Sequence, residues 1–401
     1  MLNLTIARRV LLTALAAAAT LTARPARAQD ATKVVTPAFD FSGVLLANYR
    51  YASDSATKAA NGGNAAGKFD VERVYLNFKM PAGHDGSIRV TTDVFNNTNP
   101  STNGYYPGWT VRLKYAYFQY NFLHDIGGQK GFNATARFGM VHTALIDHEE
   151  GFWPRWTSQT AVERNGFFAS SDVGVVGIVT LPNSWGEIFG TIANGPGYGA
   201  AETDRYKDAS ARVSLTPFGA GQGILKTFTI SPWAYLGATA SRFQNSGAGQ
   251  LGPVGSALDR NRMGVFVGIR DRRFTAGVDY ATRTETIETG ANTPASPRGA
   301  YNNTGTLTSG FVVVRPFELM DDSQKSPLSL FVRYDSFKPY SDARSAGTQT
   351  TSAANNLMIA GLMYDLNQKA SMSLDIQNLG RASGSRIAES SAVYLHMQVG
   401  F

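Results

Sequence analysis

The residues in this chain that could carry chemistry are few. The densest group is Asp147-His148-Glu149-Glu150, with His142 just upstream. Imidazoles and carboxylates together suit zinc or calcium, but those sites need converging ligands at recognisable spacings. Neither the calcium-loop nor the zincin pattern occurs, so no metal and no cofactor are expected. A hydrolase would need a Ser/His pair, and the histidines available are His84, His124, His142, His148 and His396. Triads assemble in space, so spacing assigns no serine to any of them. No nucleophile motif stands out, and a hydrolase carried on a barrel rim stays open as an alternative. Gly195-Pro196-Gly197-Tyr198-Gly199-Ala200 loosely fits a dinucleotide-binding turn. That turn needs a following helix and a parallel sheet. Here Ala209–Leu215 reads as a strand, so a surface loop is expected.

The elements around these residues are strands. Sixteen segments show strand character, near 40–51, 68–80, 86–96, 110–122, 132–140, 171–181, 185–193, 208–217, 226–241, 261–270, 272–284, 304–316, 326–338, 354–366, 369–379 and 388–401. Most have the ~9–11 residues with which a tilted strand crosses hydrocarbon. Val74, Leu76 and Phe78 alternate with Arg73, Tyr75, Asn77 and Lys79. Met372, Leu374 and Ile376 alternate with Ser373, Asp375 and Gln377. A period of two gives each strand one apolar and one polar face. The last strand ends in a terminal aromatic, Phe401. Long polar connections (Ala52–Gly67, Asn97–Trp109, Val141–Ser170, Gln244–Arg260, Glu285–Asn303) alternate with mostly tight ones (Pro81–Asp85, Pro182–Ser184, Asn367–Gln368). That asymmetry is expected of an outer-membrane barrel, with apolar faces toward lipid and polar faces toward a lumen. Strands in lipid leave no backbone group unpaired, so the sheet must close.

Composition agrees. Residues 1–28 read as a secretory signal, with Arg8 and Arg9, an apolar run, and a small-x-small site at Ala26-Arg27-Ala28. The remainder, 29–401, is expected to form a single barrel domain in the bacterial outer membrane. The formal charge of +7 includes four leader arginines; without them 33 basic residues face 30 acids. That balance argues against nucleic acid. Cysteine is absent, which excludes a disulfide scaffold.

Several segments carry a family resemblance. They are Phe69-Asp70-Val71-Glu72-Arg73-Val74-Tyr75-Leu76-Asn77-Phe78 with Ile88–Phe95, Leu113-Lys114-Tyr115-Ala116-Tyr117-Phe118-Gln119-Tyr120, and Ala136-Arg137-Phe138-Gly139-Met140. The chain resembles a general bacterial porin, and more narrowly the phosphate-selective porin (O and P) group. The resemblance implies a sixteen-stranded, trimeric, water-filled pore with its third loop folded inward. The arginine-rich and lysine-rich ladders of a phosphate channel are not obvious in this sequence.

Passive diffusion of small hydrophilic solutes and ions follows as the expected function, with no chemical step. A channel for hydrophobic substrates is the other alternative; 29–38 is too short to plug it. The longest connection is the expected constriction, through Asp147, Glu149, Glu150, Trp153, Arg155, Trp156 and Arg164. Its aromatics need a wall to pack on. Facing it, Arg73, Lys79, Arg89, Arg112, Lys114, Arg137, Arg262 and Arg333 are expected to line the pore, with Arg212 and Arg270. Asp93, Asp279, Asp335 and Asp375 share that face. Charges in a narrow pore focus the field and bias ion entry. The basic excess predicts a mild, phosphate-like anion preference.

Overall fold

The computed structural model describes residues 39–97, 108–241, 254–289, 299–339, 354–381 and 389–401. The expected leader, 1–28, lies outside the described residues. Sixteen strands run in order: β1 (Asp40–Ala52), β2 (Ala66–Pro81), β3 (Gly86–Asn97), β4 (Gly108–Leu123), β5 (Asn133–His142), β6 (Ser171–Thr180), β7 (Gly186–Ala193), β8 (Asp208–Leu215), β9 (Thr229–Ala240), β10 (Ala257–Arg270), β11 (Phe274–Thr289), β12 (Gly299–Val314), β13 (Leu328–Lys338), β14 (Asn355–Asp365), β15 (Ala370–Arg381) and β16 (Ser390–Gly400). Each pairs antiparallel with its sequence neighbours, and β1 pairs with β16, so the barrel closes. All sixteen expected strands are present, most with ends shifted by a few residues.

Closure is made by backbone and finished by an aromatic. Val44 to Ala52 register against Gly400 to Ala392. Beyond the ladder, Gly43 N–H donates to the Phe401 carbonyl at 2.9 Å, and Phe401 N–H returns a bond to Gly43 at 3.0 Å. The Phe401 ring lies over Gly43, where a Cβ would sit 2.1 Å from it. Only glycine lets the last ring cover the seam in this position.

The outer surface is apolar. Val111, Phe138, Val175, Met263, Val278, Val332, Met358, Leu374 and Val393 are exposed there, one strand after another. Tyr51, Trp109, Tyr120, Trp185, Tyr280, Tyr334 and Tyr364 are exposed as well. A continuous apolar belt of this kind is stable against hydrocarbon and unstable against water. Among the described residues, no helix is long and apolar enough to cross a membrane; the strands cross it.

Three register shifts break the alternation, opposite Leu46/Ala47, at Thr91/Thr92 and at Asn121/Leu123. A bulge adds one residue and re-phases the strand. Glu72 and Arg73 therefore both line the lumen, and Lys114 and Tyr115 are both buried. Among the described residues four short α-helices lie outside the sheet: α1 (Ser55–Ala60), α2 (Ile146–Glu149), α3 (Ala161–Arg164) and α4 (Pro316–Met320). At the tight-turn end, 216–228 and 315–327 are longer than the other connections.

Candidate functional site

The connection between β5 and β6, residues 143–170, folds into the lumen. Its apolar residues dictate that. Leu145, Ile146, Val162 and Phe167 are fully buried against a cluster that includes Tyr115, Tyr117, Val176, Phe189, Trp233 and Tyr235. Trp153, 2 % exposed, seats in a second cluster with Phe266, Phe311, Phe331, Leu357 and Ile359. Phe152 and Trp156 pack against the same cluster. The Trp153 ring meets Phe311 edge-on at 5.2 Å, and its Nε1–H donates to the Ser158 carbonyl at 2.8 Å. The inner wall is thus apolar where the loop covers it. The barrel carries a small packed core inside an otherwise polar lumen, and burying this much apolar surface is what holds the loop in.

Polar side chains from the wall then grip the loop backbone. Arg212 of β8 donates to the Ala144 carbonyl at 2.6 Å. Arg262 and Arg270 of β10 donate to Phe167 and Gly151, each at 2.6 Å. Arg333 of β13 donates to Gln159 at 2.6 Å, and Gln377 of β15 to Thr157 at 3.1 Å. A buried carbonyl left unpaired is costly, and a charged donor satisfies it strongly. From the other side Tyr115 donates to Asp147 at 2.9 Å, and Arg155 donates to the Tyr75 hydroxyl at 3.1 Å.

Within the loop, Arg155 pairs with Glu150 at 2.6 Å and Glu163 at 3.1 Å. Burial pushes the Glu150 carboxyl up to about 7, against the pull of Arg155 and Lys114. Glu149 is buried and raised well above its usual range, first by burial and then by the neighbouring Asp279. At Asp147 burial acts upward but is outweighed by His142, Lys114 and Tyr115, so its carboxyl is held low. His142 lies 2.7 Å from Asp147 through Nε2. The Arg164 side chain makes no hydrogen bond or ion pair to any described residue and lines a lumenal cavity.

The basic wall separates into two groups. Arg73 and Arg112 share Asp93, at 2.8 and 2.9 Å. Arg262 pairs with Glu285 at 3.0 Å and Arg333 with Asp335 at 2.6 Å. Arg212 pairs with Glu187 at 2.6 Å. Each of these charges has a carboxylate beside it, Arg73 and Arg112 dividing one between them. Lys79, Arg89 and Arg137 instead line a cavity of about 450 Å³ near the tight-turn end. Arg89 is held by Thr91 and Asn77, and Arg137 by Gln119, all neutral partners. Lys114 sits over the Tyr75 ring at 4.2 Å. Asp375 lies 3.4 Å from His396.

Sequence reasoning missed the carbonyl-gripping role of Arg212, Arg262, Arg270, Arg333 and Gln377. It also missed Arg50, Glu72, Tyr394 and His396 on the lumenal wall. Parity was the available signal for Arg50, Tyr394 and His396; the bulge hid Glu72. A Ser/His contact does exist: Ser231 Oγ lies 2.9 Å from His148 Nε2. Ser231 is 0 % exposed, and no carboxylate of the described residues is bonded to His148. Burial, then Arg212, holds His148 down to about 3, so it is a neutral packing partner.

No family model and no curated protein matches this chain. Solved structures match throughout its length. OprB of Pseudomonas putida, solved at high pH, is 8% identical, with a TM-score of 0.59 over 90% of this chain and 94% of that one. OmpF of Salmonella typhi, in complex with daunomycin, is 10% identical, with a TM-score of 0.57 over 90% and 97%. The anion-selective porin of Comamonas acidovorans is 9% identical, with a TM-score of 0.54 over 91% and 100%. The fold is that of the bacterial outer-membrane porins. In this porin fold the third outer connection, 143–170, enters the lumen.

Proposed function

We propose that this chain is an outer-membrane porin through which small hydrophilic solutes and ions diffuse passively, with no chemical step. The observation that carries the reading is a closed barrel with an apolar exterior, a charged interior and the 143–170 loop folded across the inside. A sixteen-stranded barrel has room for an aqueous channel, and such a loop narrows it. The constriction is formed by 143–170, through Asp147, Glu150, Arg155 and Arg164, with Trp153 and Trp156 as its anchors and Glu149 buried behind. The mature protein starts after the leader 1–28 and assembles as a homotrimer in outer-membrane lipid, as the family resemblance implies.

A mild, phosphate-like anion preference rests on Lys79, Arg89, Arg137 and Lys114. Unlike Arg73, Arg112, Arg212, Arg262 and Arg333, these four have no carboxylate within ion-pair distance among the described residues. Planar-bilayer recording tests both parts. A large ohmic step supports the channel, and a reversal potential set by the anion supports the preference. An electrically silent protein removes the channel; cation preference removes the anion reading alone.

A further inference from the structure

Most lumenal charges are paired, and the exceptions on the outer-loop side of 143–170 converge on one place. Arg50, Glu72 and Arg164 line a single cavity of about 400 Å³ together with Gln377, Tyr394 and His396. Arg50 comes from β1, opposite Tyr394 of β16. Glu72 is the extra residue of the β2 bulge. Arg164 closes α3 in the loop. None of these three side chains makes a hydrogen bond or ion pair with any described residue. Their neighbours do: Lys68 with Asp70 at 2.7 Å, Arg73 with Asp93 at 2.8 Å, Arg155 with Glu150 at 2.6 Å. His396 adds a second unusual feature. It is 3 % exposed, and neither ring nitrogen has a hydrogen-bond partner, although Nε2 lies 3.4 Å from the Asp375 carboxylate.

Two unpaired guanidiniums and one unpaired carboxylate in one cavity do not describe a simple anion site. Glu72 would repel an anion that Arg50 and Arg164 attract. They do not describe a cation site either, for the converse reason. A ligand carrying both signs satisfies all three: its carboxylate between the two arginine forks, its ammonium at Glu72. Tyr394 stacks on His396 at 5.0 Å, giving a flat face for a side chain, and the Gln377 amide stands beside it.

We propose that this cavity is a binding subsite for small zwitterions, of which α-amino acids are the natural class. The proposal rests on the channel reading for the route by which the ligand arrives. The test is single-channel current in about 0.1 M KCl, low enough that charges are not fully screened, with L-alanine, acetate or methylammonium added at neutral pH. Alanine carries no net current, so its occupancy lowers the ionic current. Block by alanine should exceed block by either single-sign ion. Glu72→Gln, and separately Arg50→Gln with Arg164→Gln, should raise the half-blocking concentration by about tenfold or more. Glu72→Gln should also strengthen block by acetate. Equal block of the wild type by acetate, or alanine block unchanged in both variants, overturns the subsite.

Saturation-transfer NMR of L-alanine on the folded, detergent-solubilised protein separates this proposal from the channel itself. Alanine binding that the variants abolish, in a protein that passes no current, removes the channel and leaves the subsite. Conductance without alanine binding removes the subsite and leaves the channel.

Discussion

Replacing Trp153 by alanine should release the loop without unfolding the barrel. The indole is 2 % exposed and lies 5.2 Å from Phe311 and 6.0 Å from Phe331, ring centre to ring centre. Arg333 stands over it at 5.0 Å. Removing a large buried aromatic costs about 3–5 kcal/mol. The lost Nε1–H bond is included in that figure, since net hydrogen bonds contribute only about 1 kcal/mol. The cost falls on the docked loop, because every strand amide keeps its ladder partner. At about 1.4 kcal/mol per tenfold, loop opening should rise by roughly two to four powers of ten. Amide exchange reads this directly. The reporters are Phe167 N–H, which donates to Val162 at 2.8 Å, and Glu150 N–H, which donates to Ile146 at 2.9 Å. Both should lose protection by that factor, while β12 and β13 keep theirs. Single-channel conductance should rise or become noisy. Unchanged protection at Phe167, or equal loss across the strands, would refute the idea that Trp153 anchors a separately stable loop.

Other outcomes follow from the same contacts. Arg89→Gln with Arg137→Gln should move the reversal potential in a salt gradient toward cation preference and leave thermal stability unchanged, because both side chains have neutral partners. Glu149 and Glu150 are both raised in the folded protein, so each binds its proton more tightly there than when released. Their contribution to docking is therefore full below the usual glutamate range near 4.5 and is lost as pH rises, through about 7 for Glu150. Loop proteolysis should accelerate across that window, and Glu149→Gln with Glu150→Gln should flatten the profile. Gly43→Ala forces the Phe401 ring off the seam, an overpacking effect of about 1–3 kcal/mol. The temperature at which the barrel loses its compact electrophoretic form should fall, and deletion of Phe401 in the same background should add little.

The barrel was legible because every strand meets the same two solvents. Lipid on one side and water on the other impose alternation that survives in segments as plain as Met372–Gln377. Connection lengths then supplied the polarity of the two ends. The loop was legible as a candidate because Phe152, Trp153 and Trp156 cannot stand free in water. The partners of the wall arginines were not. Arg262 and Arg333 look like any other inward base, yet their second donors go to the carbonyls of Phe167 and Gln159. A backbone acceptor has no residue type, so no pattern announces it. Bulges hid the rest: Glu72, and Tyr115 with Tyr117, fall on a face that strict alternation from Arg73 and from Arg112 does not assign to them.

The grip on the loop has a consequence for how the molecule is made. Arg262, Arg333 and Gln377 lie 95, 174 and 220 residues beyond the backbone atoms they hold. When 143–170 leaves the ribosome, none of its later captors exists. The segment must wait, greasy and unsheltered, until the final third of the polypeptide arrives. Yet once the first ribbon meets the last, the ring is sealed around whatever it encloses. Threading therefore has to precede sealing, and a machine that assists assembly would have to keep the ring ajar until this segment is already within.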